Sequence, residues 1–285
     1  MSSAGSCNDT EFDMTLPATA AVKREAKARR SAKRRNFAIR IASVAALLLV
    51  WEICGMFTPR IFLSPFHDSV TAFWRLATDG TLLAATSSSL LVLLAGLAIS
   101  ILIGVPLGLV MGRHVRWDWA LSPYVNGLYA TPTVALLPLL SLWLGLYLAP
   151  KIALVVLLAI FPIIKNTYAG VTTLGDELLE PARSMQASQL QIARLVIAPA
   201  TVPFVMAGLR LAVGRGIVGL VVGEFFTAQT GLGGLVIRHA SSFRTAEMFV
   251  PIFVLVALGY GLTALVLLMQ ERIAPWKETE RDLGA

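Results

Sequence analysis

The chain has 285 residues, of which 56% are hydrophobic and 14% charged, with a formal net charge of +7. A soluble globular domain carries about 25% charged residues, so the deficit argues against an ordinary water-soluble domain and points to lipid as the main solvent. Runs of about 20 apolar residues span a bilayer; about six fit this length, and a large soluble domain does not fit beside them.

The chain opens on a polar stretch. Lys23, Arg24, Lys27, Arg29, Arg30, Lys33, Arg34 and Arg35 cluster just before the first apolar run. Lys and Arg beside a span hold that end in the cytoplasm. That reading is preferred to nucleic-acid binding and to a cleaved signal, because the run from Phe37 to Phe57 is too long and no small-residue cleavage site follows it. Residues 1–36 are expected to be a disordered basic cytoplasmic tail.

Spans are predicted at 37–57, 82–112, 119–147, 150–171, 201–226 and 248–270. The fold class is therefore all-α and polytopic, with a permease-sized membrane domain over 37–276 and a short cytoplasmic tail at 277–285. Between the first two spans, Val70, Phe73, Trp74 and Ala77 share one face of a short amphipathic helix, which suits the outer interface. Lys/Arg asymmetry favours both termini inside. No internal repeat is visible, which speaks weakly against a secondary transporter.

Pro123, Pro132 and Pro138 interrupt the third span. Proline removes a backbone donor and kinks a helix, either as accommodated packing or as a broken helix lining a pathway. Gly208, Gly214, Gly216, Gly219 and Gly223 stud the fifth span and suit either close helix packing or a pore-lining surface. Arg210, Arg215 and Glu224 lie in the same span, where charge is costly and usually functional. Arg210 is expected to snorkel to the inner end. Arg215 in a pathway suits an anion, and a structural ion pair suits it equally. The candidate pathway residues are Pro132, Pro138, Arg215, Gly219 and Glu224. Lys165 is expected at the inner end of the fourth span. Cys7 and Cys54 suit neither a disulfide nor a metal site, and His67, His114 and His239 read as solvated loop residues.

The polar island from Thr172 to Pro199 separates the fourth and fifth spans. Leu178, Ala182 and Met185 share one helix face. Pro181 suits a first helical position, which predicts a short helix starting there. Ser188 and Gln191 have capping-box spacing, so a second helix starts at Ser188 with Ile192, Leu195 and Val196 on its apolar face. Pro199 is expected to end it. The island is either a handle for a partner outside the bilayer or an amphipathic hairpin on the membrane surface.

Glu180-Pro181-Ala182, followed by Val196-Ile197-Ala198-Pro199, resembles the "EAA" signature of ABC importer permeases. Pro181 stands for Ala, Gln186 for Gly, Val196 for Ile and Ala198 for Leu. Gly takes a positive-φ turn at little cost, which Gln does not. The stretches 161–171, 177–188, 203–224 and 231–245 resemble the branch serving nitrate, sulfonates, taurine and bicarbonate, a likeness covering about 60–276. The resemblance implies that 172–200 is a coupling loop docking on a cytoplasmic ATPase through Glu180, Pro181, Ala182, Arg183, Gln186, Ala187 and Ser188. It further implies an extracytoplasmic solute-binding protein, a permease dimer expected to be a homodimer, and a multi-pass site in the inner or plasma membrane. No phosphate-binding G-x-x-x-x-G-K-[ST] motif occurs in this chain, so it is expected to bind no cofactor itself while the partner uses ATP. The rival is an ion-coupled secondary transporter of a small anion, for which Glu224 lacks a companion carboxylate. A membrane enzyme or structural anchor explains the loop less well.

Overall fold

The computed structural model describes residues 18–227 and 230–274. The expected tail segments at 1–17 and 277–285, together with Cys7, lie outside those residues. All regular structure among the described residues is helical.

Helix α1 runs Ala18–Phe57, and its apolar part, Arg35–Phe57, coincides with the first predicted span. The basic stretch from residue 18, expected to be disordered, instead continues that helix. Ala, Lys and Arg are strong helix formers, and extending an existing helix avoids the cost of nucleation. Near the far end of α1, Trp51 packs edge-on or tilted against Phe66, Phe249 and Phe253 at centroid distances of 5.5, 4.8 and 5.4 Å. Its indole N–H donates to the Ser64 carbonyl at 3.1 Å.

Helix α2, Phe66–Thr78, turns Ser69, Ala72 and Leu76 inward. Val70, Phe73, Trp74 and Ala77 form its exposed face, as the apolar pattern predicts. Helices α3 (Thr81–Arg113), α6 (Leu148–Thr172) and α9 (Ala198–Phe226) make the core. Lipid tails are as apolar as leucine, so association here relies on close packing rather than on escape from water. Gly96, Gly104, Gly108 and Gly112 of α3 face Val155, Ile163, Thr167 and Val171 of α6. The offset is 59 residues at all four, so the helices run parallel, and most of these Cβ positions are already filled by the neighbouring helix. Gly219 against Leu154 and Gly223 against Lys151 set α9 antiparallel to α6. The glycines at 208, 219 and 223 thus take the close-packing role among the two readings.

The third predicted span is broken. Helix α4, Val115–Ala130, meets a segment containing a 3₁₀ turn at Thr133–Leu136 and helix α5, Leu137–Leu144, at an 88° bend. Thr131 precedes Pro132 and is extended, at φ −68° and ψ 138°, because proline disfavours helical backbone in the residue before it. Helix α11, Thr245–Ile273, is the last span. Between α9 and α11 lies α10, Gly231–Ser241, whose residues Gly231 to Val236 are all buried. Helix α10 leaves little mark in the sequence: at 11 residues it is too short to span, and its buried N-terminal half carries no amphipathic alternation.

Candidate functional site

The loop between α6 and α9 is folded. Helix α7 runs Asp176–Ser184, so it starts five residues before the expected Pro181. Pro181 lies in its interior, where its missing N–H forfeits one helical hydrogen bond. The helix closes through a left-handed residue: Gln186 has φ 57°, and the Ala187 N–H donates to the Ala182 carbonyl at 3.1 Å. This i+5 bond marks a Schellman-type end. Glutamine occupies the position glycine would fill, at a cost of about 1 kcal/mol.

The corner leads into Ser188, whose hydroxyl accepts the Gln191 N–H at 3.3 Å while the Ser188 N–H donates to the Gln191 side chain at 2.7 Å. This is a complete capping box. Helix α8 is only Gln189–Ile192, and it passes through a π turn at Ala193–Ile197 into α9. Pro199 was expected to end this helix, yet Gln189–Phe226 forms one 38-residue rod. Pro199 falls in the first turn of α9, and the π turn's wider i+5 bonding re-sets the backbone before it. The same turn rotates the apolar face. Ile192 and Ile197, five apart, are the buried pair, whereas Leu195 is 73% exposed. In α7, Leu179 and Ala182 pack inward with Ala187, while the expected face residues Leu178 and Met185 point outward, Met185 at 83% exposure. Glu180, Pro181, Gln186 and Ser188 are exposed as well; the side chain of Arg183 lies outside the described residues.

A residue not singled out by the sequence analysis ties this loop to the core. Arg113, the last residue of α3, donates through Nη2 to the Gln189 carbonyl at 3.0 Å and to its side-chain oxygen. Its Nη1 is buried without a partner.

The candidate pathway residues separate into two groups. Arg215 hydrogen-bonds the Tyr129 hydroxyl at 2.9 Å and lies over that ring, 4.7 Å from its centroid. Tyr129 ends α4 beside the Pro132 bend, so the structure brings Pro132 and Arg215 together. Pro138 opens α5 beyond the bend. Gly219 and Glu224 lie instead in the protein interior. Glu224 is fully buried, accepting the Ser89 hydroxyl at 2.6 Å and the Gly233 N–H at 2.7 Å. Ser89 in turn accepts the Leu232 N–H at 2.8 Å. Together they bond two of the free N–H groups at the start of α10. Gly231, at φ 82°, has no room for a Cβ because Glu224 occupies that space.

Lys165 is not at a span end: α6 continues seven residues beyond it, about 10 Å at 1.5 Å per residue, and its ammonium lies 4.7 Å from the Tyr129 ring centroid. Arg210 donates to Gln270 in the last turn of α11 at 2.9 Å, the end of the bundle toward which it was expected to reach. Lys151 is buried and donates to Thr230 at 2.7 Å. His239 is a buried α10 residue, not a solvated loop group. Burial pushes its pKa below the usual histidine value; Glu247 opposes that shift, and Arg244, Arg238 and Arg75 reinforce it. Of the other two histidines, His67 belongs to α2 and His114 links α3 to α4. Among the described residues, no group of three His, Cys, Asp or Glu side chains is placed to hold a metal.

A bundle of up to six helices long and apolar enough to span a membrane, with a folded loop between the fourth and fifth, defines a polytopic membrane permease. The chain belongs to the family described as binding-protein-dependent transport system inner membrane component, which matches residues 104–279. It is 30% identical over 234 residues to the formylaminopyrimidine transport permease protein ThiX of Halalkalibacterium halodurans, covering 82% of this chain and 94% of the relative. It is 28% identical over 250 residues to the taurine transport system permease protein TauC of Escherichia coli, covering 85% and 90%. A putative aliphatic sulfonates transport permease protein, SsuC of Bacillus subtilis, is 26% identical over 238 residues, covering 82% and 86%. This chain is thus a multi-pass inner-membrane permease of an ABC importer for small solutes, and the family is a non-catalytic one.

Proposed function

We propose that this permease passes a small anion, such as a sulfonate, taurine, nitrate or a related organic acid, inward across the membrane on energy supplied by a cytoplasmic ATPase. An extracytoplasmic binding protein delivers the solute, and two copies of this chain pair to enclose the pathway. The loop at 172–200 is the ATPase contact, which puts the loop end of the bundle, and both chain termini, in the cytoplasm.

The observation that carries this reading is the mechanical continuity of the loop. Leu178, Glu180, Met185 and Gln186 are presented outward on a unit closed by a left-handed corner and a capping box. That unit continues without a break into the 38-residue rod of the fifth span. A push on α7 therefore reaches the bilayer centre through packed helix rather than flexible chain. Only a difference in binding free energy between two states shifts a conformational equilibrium, and a rigid loop can deliver such a difference. An anionic solute fits the excess of positive charge near mid-membrane at Lys165 and Arg215. An uncharged heterocycle, which the name of the Halalkalibacterium relative raises, would leave those charges uncompensated.

The test is to co-purify the chain with its ATPase, reconstitute both with the binding protein, and measure ATP hydrolysis and uptake. Arg183→Glu on the loop is expected to weaken ATPase binding or to uncouple hydrolysis from uptake. Uptake that follows an ion gradient with no ATPase bound would replace this reading with the ion-coupled secondary transporter.

A further inference from the structure

Lys165 of α6 and Arg215 of α9 converge on one aromatic ring. Both cations lie 4.7 Å from the Tyr129 centroid. Arg215 also bonds the Tyr129 hydroxyl, and Lys165 donates to Asn126 at 3.1 Å. The register of α9 against α6, read from Gly219 and Gly223, sets Arg215 beside about residue 159, near the middle of α6 by helical rise. Two positive charges thus share one aromatic ring within the length of the α6 and α9 spans.

Neither cation forms an ion pair among the described residues, and both side chains are exposed in the single chain. Exposure to lipid at this depth is costly for either charge, so the face they share meets water or another protein surface. Among the described residues, no carboxylate of an apolar span stands free at the level of Arg215 for a second copy of the chain to supply. Among the described carboxylates of the spanning helices, Glu52 is held by His67 and Asp118 by Ser122 and Tyr168. Glu224 caps α10 and Glu247 pairs with Arg75. Glu271 lies in the last turn of α11, beside the Gln270 that Arg210 binds and more than a helical turn from the level of Arg215.

We propose that Lys165, Tyr129 and Arg215 form an anion station in the translocation path, a site that transiently holds a sulfonate, carboxylate or inorganic oxyanion crossing the membrane. The proposal rests on the permease reading above and gives its anionic substrate a place. The guanidinium offers planar paired donors to an oxyanion, the ammonium offers a point charge, and the tyrosine holds the two at a fixed separation. Asn126 accepts from Lys165 and fixes its ammonium beside the ring. With only two cations and no enclosing donors, the station binds weakly enough to release its occupant, as conduction through a site requires.

The test does not require knowledge of the natural solute. Gly214 lies on the same exposed face of α9 as Arg215, with Leu211 and Val218, and a side chain there meets open space. In a Cys7→Ser, Cys54→Ser background, Gly214→Cys is reconstituted in lipid nanodiscs, alone and with the partner ATPase. Its reaction rates with 2-sulfonatoethyl methanethiosulfonate and with the 2-trimethylammonioethyl reagent are each divided by the rate with a free thiol. Two charges about 8 Å away favour the anionic reagent by about thirtyfold in water and about fivefold after salt screening. Arg215→Gln or Lys165→Gln is expected to reduce that preference about twofold each, by the same Coulomb estimate, while Arg215→Lys retains it. Absence of preference, or no reaction with either reagent in any nucleotide state, overturns the station. If hydrolysis stays coupled to uptake while the preference is absent, the station alone fails. If no ATPase binds but the preference persists, the importer reading fails and the station stands.

Discussion

Removing the Glu224 carboxylate should loosen α10 selectively. In the fold, its oxygens accept the Ser89 hydroxyl at 2.6 Å and the Gly233 N–H at 2.7 Å, inside a site that water does not reach. Glu224→Ala leaves one buried backbone donor and one buried hydroxyl without an acceptor. Each such orphan costs about 1–3 kcal/mol, so the variant should lose about 3–4 kcal/mol locally. Glu224→Gln keeps an oxygen for the Gly233 N–H and forfeits mainly the Ser89 bond, a loss of about 1 kcal/mol. Every 1.4 kcal/mol is a factor of ten in an opening equilibrium. Backbone amides of α10 should therefore exchange with deuterium at least a hundredfold faster in Glu224→Ala and up to about tenfold faster in Glu224→Gln. Gly231→Ala should resemble the alanine variant, because its Cβ would occupy the carboxylate's space and its φ of 82° disfavours any side chain. Unchanged exchange over 231–241 in Glu224→Ala, with full incorporation into the membrane, would refute the reasoning.

Ser188→Ala should lose about 1 kcal/mol by removing the N-cap of α8, seen as faster exchange at 189–192 and not in α3. Arg113→Gln should release Gln189 from α3 and lower the ratio of solute imported to ATP hydrolysed, with Arg113→Lys partly restoring it; an unchanged ratio would mean that the loop reaches the core without this tie. His239 is kept neutral by burial, so its folded pKa lies below the unfolded value of 6.5. The unfolded chain then binds more protons below about pH 6.5, and stability falls as pH drops from there toward the folded pKa. His239→Gln should flatten that part of a melting-temperature profile, and an equally steep profile would remove His239 as the cause.

The apolar helices and the capping box were readable from the sequence because each is a local signal. Apolar runs need only length, and the Ser188–Gln191 pair needs only a spacing of three. The corner at Gln186 was also local, since the helix must turn between α7 and Ser188. What the sequence misplaced depended on the backbone's response to proline. Pro181 and Pro199 look like boundaries in isolation, yet packing of Leu179, Ala182, Ile192 and Ile197 against Val171 keeps the helices running through both. The π turn that makes this possible leaves no periodic mark to read beforehand.

The chain by itself determined where its long apolar helices and its folded loop lie, because both follow from the solvent preference and capping chemistry of contiguous residues. Only the tertiary structure decided which charges inside the membrane are spoken for. Glu224 and Arg215 are nine residues apart in one helix and look alike in sequence. The fold buries the first under α10, where Ser89 and Gly233 consume its lone pairs. It leaves the second with Lys165 around a tyrosine drawn from α4, 86 positions away in sequence. Whether a buried charge is compensated depends on what distant helices bring to it, and those partners are set by packing rather than by any local pattern.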